Sequence, residues 1–299
     1  MKEQAWIHLF ITYLQLEKNS SIHTTRNYTN DITDFVEYMK AAQIVSFLDV
    51  KGSDAADFLS FLFNREYSRA TISRKVSSLR SFFKFHMKEG RVSENPFATV
   101  ILPKRSNQTY HTLSEDQMVY SLQLVSGASP LEQRDRAILE LLYGTGIKVS
   151  ECAKIKITDL NLSLGTILIE GKSRKERYLP VGKFALEALQ TYINDGRNVL
   201  LQKTNQPQIS LFLNVQGLSL SDRSIRSIIK KRIGVECNDM KLRPYDIRHS
   251  FTSHLLKNGA DVKVVQDLLG NEQLIDIRNY TDVTKDRLQD VYKHFHPRA

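Results

Sequence analysis

Residues 242–271 read LRPYDIRHSFTSHLLKNGADVKVVQDLLGN, a pattern of two helices over roughly 245–258 and 261–269. Tyr245 and Arg248 are three residues apart, so they share one helix face. Arginine presents a rigid planar fork of donors suited to two oxygens at once, and tyrosine adds a phenol. Such a face can hold a phosphate. Whether it cuts that phosphate or only grips DNA depends on what surrounds it.

Working back from this stretch, the second half of the chain is mixed. Residues 166–181, TILIEGKSRKERYLPV, read as a hairpin of two strands around a polar turn that carries Lys172. Residues 143–152, YGTGIKVSEC, let glycine bring the backbone in tightly before a helix that starts near Val149, with Lys148 at its positive end. PLEQRDRAILELLY, residues 130–143, has proline in its first turn and stops at the glycines. Residues 183–200 read as one helix, SDRSIRSIIKKRI (221–233) as a capped basic helix, and 273–281 as a further helix.

The first half is all helix. Apolar residues recur at helical spacing over 5–17, 22–40, 53–64 and 69–88, and the pattern ends at EGRVSENPF with Gly90 and Pro96. The polar, proline-bearing stretch 102–117 marks a boundary near residue 106. This divides the chain into a helical domain over 1–90, a linker over 91–107 and a second domain over 108–299.

The balance of 42 Lys and Arg against 33 Asp and Glu gives a formal charge of +9, which favours a polyanionic partner. Two cysteines without a CxxC spacing argue against a disulfide framework and a thiolate metal site. The apolar N-terminal stretch is interrupted by His8, Thr12 and Gln15, unlike a signal peptide or a membrane span, and a cytoplasmic setting is expected.

On the helix over 69–88, Arg69, Ser73, Arg74, Ser77, Arg80 and Lys84 are expected on the polar side, where short hydroxyls between long cations suit a DNA backbone. Thr25 and Arg26 near the start of the second helix, and Arg174, Lys175 and Arg177 beside the hairpin turn, extend this DNA-contacting set. An ordinary solvated face is the alternative.

The chain resembles the tyrosine recombinases, the phage-integrase-type family, and within them the Xer type, closest to XerC-like proteins of low-GC Gram-positive bacteria. The resemblance runs over essentially the whole length and is carried by RDRAILELLYGTGIKVSE, GKSRKERYLPVG, the stretch 242–271 and the ending VYKHFHPRA. It implies a mainly α fold with a small antiparallel β-sheet. An N-terminal four-helix, SAM-like core-binding domain and a catalytic domain would form a C-shaped clamp on duplex DNA. It also implies a chemistry in which tyrosine attacks a phosphodiester, leaving a 3′-phosphotyrosyl link and a free 5′-hydroxyl, without a cofactor or metal.

By the same resemblance the nucleophile is Tyr280, the leaving-group acid Lys172 and the second phosphate-binding arginine Arg248. Three positions depart from the family pattern: Lys148 replaces the first arginine, Tyr245 a histidine, and Asn271 the histidine or tryptophan of the LGH motif. Lysine keeps the charge without the planar fork, and tyrosine cannot serve as a neutral base near pH 7. Slow cleavage, or a catalytically impaired DNA-binding partner, is therefore the rival to an active recombinase. His249 and His254 read as structural, because position 249 points about 100 degrees away from 248 on a helix.

Leu288, Val291, Tyr292 and Phe295 form an apolar stripe at the end of the chain. By resemblance this tail packs into a neighbouring protomer of a tetramer on DNA, shared with a homologous Xer recombinase; the alternative is packing on its own domain. Chromosome dimer resolution, with its links to chromosome partition and cell division, is the expected role. A DNA translocase is the expected further partner, and a mobile-element role the weaker alternative.

Overall fold

Aromatic residues at helical spacing build the first half of the chain. Helices α1 (Lys2–Leu16), α2 (Ile22–Ala41), α3 (Gly52–Asn64) and α4 (Arg69–Lys88) each turn an apolar stripe inward. Phe10, Phe35, Phe58, Phe82, Phe83 and Phe97 are wholly buried where those stripes meet. Phe35 packs edge-on against Phe58 at 4.9 Å and Phe97 at 5.3 Å, the arrangement aromatic quadrupoles prefer. The computed structural model describes residues 2–102, 112–125, 127–171, 176–233, 243–270 and 291–299. The chain divides into one unit over Met1–Gln108 and another over Thr109–Ala299, each with its own core.

A buried carboxylate fastens α2 to α4. Asp31 has no exposed surface and accepts from Ser78 at 2.8 Å, from Lys75 at 3.4 Å and from Arg74. A charge taken out of water needs such partners, so Arg74 and Lys75 are part of the helix contact.

The second unit is organised around α6 (Pro130–Thr145). Residues 137–145 of this helix are all buried, as expected for a helix surrounded by others. Ser129 caps it in a reciprocal box with Glu132, and Gly146 ends it at φ 62°, a left-handed value glycine adopts without strain. Around it lie α5 (Glu115–Gln123), α7 (Val149–Cys152), α8 (Lys183–Thr191), α9 (Arg197–Leu201), α10 (Asp222–Arg232), α11 (Pro244–Lys257) and α12 (Val262–Leu269).

Strands β1 (Leu160–Asn161), β2 (Thr166–Glu170) and β3 (Glu176–Pro180) form an antiparallel sheet in that order. The expected hairpin is β2 with β3, paired from Thr166 opposite Pro180 to Glu170 opposite Glu176. Ile167 and Ile169 alternate inward. Among the described residues, no helix is long and apolar enough to cross a membrane.

One expectation needs correction. The single helix expected over 183–200 is interrupted by a π-helical turn, Tyr192–Gly196. The wider turn coincides with a wholly buried Tyr192, whose hydroxyl accepts the Leu213 N–H at 3.1 Å. In this single chain the described part of the tail, residues 291–299, packs on its own unit. Tyr292 is buried, and the Arg298 guanidinium donates to a buried Glu140 on α6 and lies over the Phe184 ring at 4.0 Å. Gly182 permits this approach: a Cβ there would come within 2.2 Å of the Arg298 carbonyl oxygen. The helix expected over 273–281 falls outside the described residues.

His86 gives the first unit an acid limit. It is wholly buried, with ring centroids 4.4 Å from Trp6 and 4.5 Å from Phe82. Burial, aided by the nearby Arg91 charge, lowers its pKa from 6.5 to about 4. A histidine depressed by folding stabilises the fold fully above its unfolded pKa, and that contribution is lost as pH falls from about 6.5 towards 4. The loss is on the order of 3 kcal/mol. Trp6 is the only tryptophan, so its fluorescence reports this unit. Urea unfolding followed at Trp6 is expected to weaken across that pH window, and His86→Leu to flatten the dependence; an unchanged slope in the variant would assign it to other groups.

Candidate functional site

Helix α11 begins with Pro244 in its first turn, and the Arg243 N–H donates to the Asp246 carboxylate at 2.7 Å. This cap fixes where α11 starts. Arg248 follows one turn after Tyr245. Tyr245 is 53% exposed while Arg248 is 7% exposed, so the shared face runs from solvent into the protein.

Backbone carbonyls hold the Arg248 guanidinium. Nη1 donates to the Gly146 oxygen at 2.6 Å, and Nη2 to the Leu269 oxygen at 2.8 Å. Gly146 closes α6 two residues before Lys148, and Leu269 is the last residue of α12. Arg248 therefore joins the end of α6, the end of α12 and its own helix. Burial pushes its pKa down; Glu151 opposes the shift and the Arg177 charge adds to it. Arginine keeps its proton in such surroundings.

Lys148 is exposed and stands directly before α7. Its backbone N–H donates to Glu151 Oε2 at 2.9 Å. Glu151 also takes both ends of the Arg177 fork, Nη1 to Oε1 at 3.2 Å and Nη2 to Oε2 at 3.0 Å. Burial alone would raise this carboxyl, but the bonds from Arg177 and the Lys148 N–H outweigh it and hold the group below its ordinary value. The third donor of Arg177, Nε, reaches the Leu268 carbonyl at 3.0 Å.

The structure thus brings together Lys148, Arg248 and, one turn from Arg248, Tyr245. Lys172, Arg174, Lys175, Asn271 and Tyr280 lie outside the described residues. His254 sits apart from this cluster, hydrogen-bonded to the Tyr143 hydroxyl at 2.8 Å and the Leu113 carbonyl at 2.8 Å. Burial lowers its pKa. His249 is half-buried, with Nδ1 3.3 Å from the Thr112 hydroxyl.

Some residues expected at a DNA-facing surface are placed elsewhere. Ser73 and Thr25 are buried, and Thr25 spends its hydroxyl on the Ile22 carbonyl at 2.9 Å. Arg80 is half-buried and binds the carbonyls of Phe97 at 2.9 Å and Val100 at 2.7 Å, bracing the loop after α4. Arg177 is committed to Glu151 and Leu268, so it is no solvated turn cation. Periodicity gives a face but not the partner of the side chain on it. Arg26, Arg69 and Lys84 are exposed, Ser77 is half-buried, and Arg74 is exposed yet paired to Asp31.

Sequence reading missed Glu151. The available signal was its spacing, three residues after Lys148 at a helix start, where a carboxylate can reach back to the first N–H.

The model of the phage integrase family matches residues 111–287, and that of the phage integrase N-terminal SAM-like domain matches 7–90. The tyrosine recombinase XerC of Halalkalibacterium halodurans is 44% identical, covering 100% of this chain and 99% of that protein. The XerC of Bacillus subtilis is 40% identical over 98% of this chain and 97% of its own length. Among solved structures, XerH recombinase bound to its difH substrate before cleavage superposes with a TM-score of 0.71 at 21% identity, covering 97% of this chain and 92% of that one. The Tn1549 transposon integrase with circular intermediate DNA gives 0.71 at 18%, covering 95% and 98%. At these identities the structures show a shared fold.

Gly146 offers a test of the geometry. A Cβ there would lie 2.4 Å from Phe251 Cδ1, at a φ of 62°. Gly146→Ala is expected to cost about 2–4 kcal/mol of stability in the second unit, from left-handed strain and overpacking together. Denaturant unfolding checks this, and a change below about 0.5 kcal/mol would mean the α6 end relaxes freely.

Proposed function

The chain belongs to the phage integrase family and is a site-specific tyrosine recombinase of the Xer type, and from that premise we propose how it cuts and rejoins DNA. Tyr280 is the nucleophile. Its phenol gives up its proton to solvent, and the phenol oxygen forms a bond to the scissile phosphorus while the bond to the 5′-oxygen breaks, leaving DNA joined to protein through a 3′-phosphotyrosyl link. Lys172 gives its proton to the departing 5′-oxygen. Resealing reverses the step with a 5′-hydroxyl from another strand, so the bond energy is conserved and no nucleotide is consumed.

The observation that carries this reading is Arg248, buried yet charged, fixed on the carbonyls of Leu269 and of Gly146, the latter two residues before Lys148. A guanidinium held in place before substrate arrives needs no reorganisation as charge grows on the phosphate oxygens. Lys148 supplies a second cation as a point charge instead of a fork. Tyr245, exposed at the head of α11, stands where the family places a histidine and can donate a hydrogen bond to an oxygen.

The ligand is a duplex recombination site, bound as a tetramer with a homologous recombinase. XerH and the Tn1549 integrase were both solved with DNA, which supports the DNA partner. Arg26, Arg69, Arg74, Ser77 and Lys84 of the first unit follow the backbone. In the tetramer the tail leaves Glu140 for the same acceptor on a neighbour. Resolution of chromosome dimers is the role that fits the XerC relatives.

A nicked DNA site that traps the covalent complex tests the proposal. A protein–DNA band is expected on denaturing gels, absent in Tyr280→Phe, whose DNA binding stays within about three-fold of the parent. Lys148→Arg is expected to raise the attachment rate by about ten-fold or more. A native-gel shift without any covalent band would favour a non-catalytic DNA-binding partner instead.

A further inference from the structure

We infer that Arg177 is a positioning residue for the phosphate-binding cations, an inference that rests on the recombinase reading above. The three oxygens it donates to belong to two other elements. Nε donates to the Leu268 carbonyl at 3.0 Å, and Nη1 and Nη2 hold Glu151 at 3.2 and 3.0 Å. Glu151 in turn takes the Lys148 N–H at 2.9 Å. Through that carboxylate Arg177 sets where the backbone of Lys148 lies.

The same guanidinium sets the end of α12. Leu268 and Leu269 carry adjacent carbonyls in the last turn of that helix, where carbonyls lack partners within the helix. Arg177 takes the first and Arg248 the second. Gly270, at φ 61°, then turns the chain flat against the guanidinium: a Cβ there would be 2.9 Å from Nη1 and 3.0 Å from Cζ. Position 271, the third altered family position, follows directly in sequence. Arg177 thus braces the backbone at Lys148 through Glu151, and shares the last turn of α12 with Arg248.

Arg177 makes these contacts with its side chain 16% exposed and its charge matched by Glu151. A lysine there keeps the charge but cannot serve the carbonyl and both carboxylate oxygens in one plane. The cations it positions act on the negative charge of the scissile phosphate, which gives a test that a purely structural role would not satisfy.

The test uses the full chain and two nicked DNAs, one with an ordinary scissile phosphodiester and one with a methylphosphonate there. The methylphosphonate is neutral, so misplaced cations matter little to it. On ordinary DNA, Arg177→Ala is expected to slow covalent attachment about 100-fold, and Arg177→Lys by an intermediate amount, with DNA binding within about three-fold. On methylphosphonate DNA the loss is expected to shrink below about five-fold. Equal losses on both DNAs, or none on either, would overturn the inference. If Arg177→Ala fails to fold, Arg177→Lys carries the same comparison. A parent protein that attaches to neither DNA overturns the recombinase reading, and this inference with it.

Discussion

Glu151 is a buried carboxylate in a chain of net charge +9, and the site around it depends on how that charge is satisfied. An ion removed from water must find partners of good geometry, and removing one partner leaves an expensive residue of charge. Glu151 meets this need with both ends of a guanidinium and one backbone N–H. The solution fixes the start of α7, the direction of β3 at Arg177 and, through Arg177, the last turn of α12. Elements far apart in sequence thereby acquire one relative geometry.

Assembling cations before a substrate arrives is otherwise unfavourable. Arg177 and Arg248 repel each other, a repulsion that adds to the downward shift of Arg248. Three features offset it: the Glu151 carboxylate, the carbonyls of Gly146 and Leu269, and the negative end of α12. A bound phosphate would complete the compensation. The cluster is thus organised for an anion, with reorganisation completed during folding instead of during reaction. Lys148 keeps the cation in this cluster without the planar fork of an arginine.

Much of the fold was legible in the sequence because apolar spacing and caps act locally. Phe35 and Phe58 sit on stripes that any helical reading turns inward, and TILIE alternates as a half-buried strand does. In the candidate site, residue type and motif together pointed to Arg248, and the motif position alone to Lys148. Arg80 and Arg177 were not legible as internal braces. Their partners are backbone carbonyls and a distant carboxylate, which no periodicity reveals. The π turn at Tyr192 was hidden for the same reason, since its hydroxyl answers an N–H twenty-one residues away. The tail posed a different problem: an apolar stripe states that something covers it, and the Glu140–Arg298 pair gives the cover within the single chain.

The central claim is that one tyrosine among the twelve in the chain becomes joined to DNA. The most direct measurement is to trap the covalent complex on a nicked site, digest the protein and DNA, and sequence the modified peptide by mass spectrometry. The account predicts a single nucleotide-bearing peptide, modified at Tyr280 through a 3′-phosphate. Modification at Tyr245 or another tyrosine, or a 5′-phosphate linkage, would contradict it.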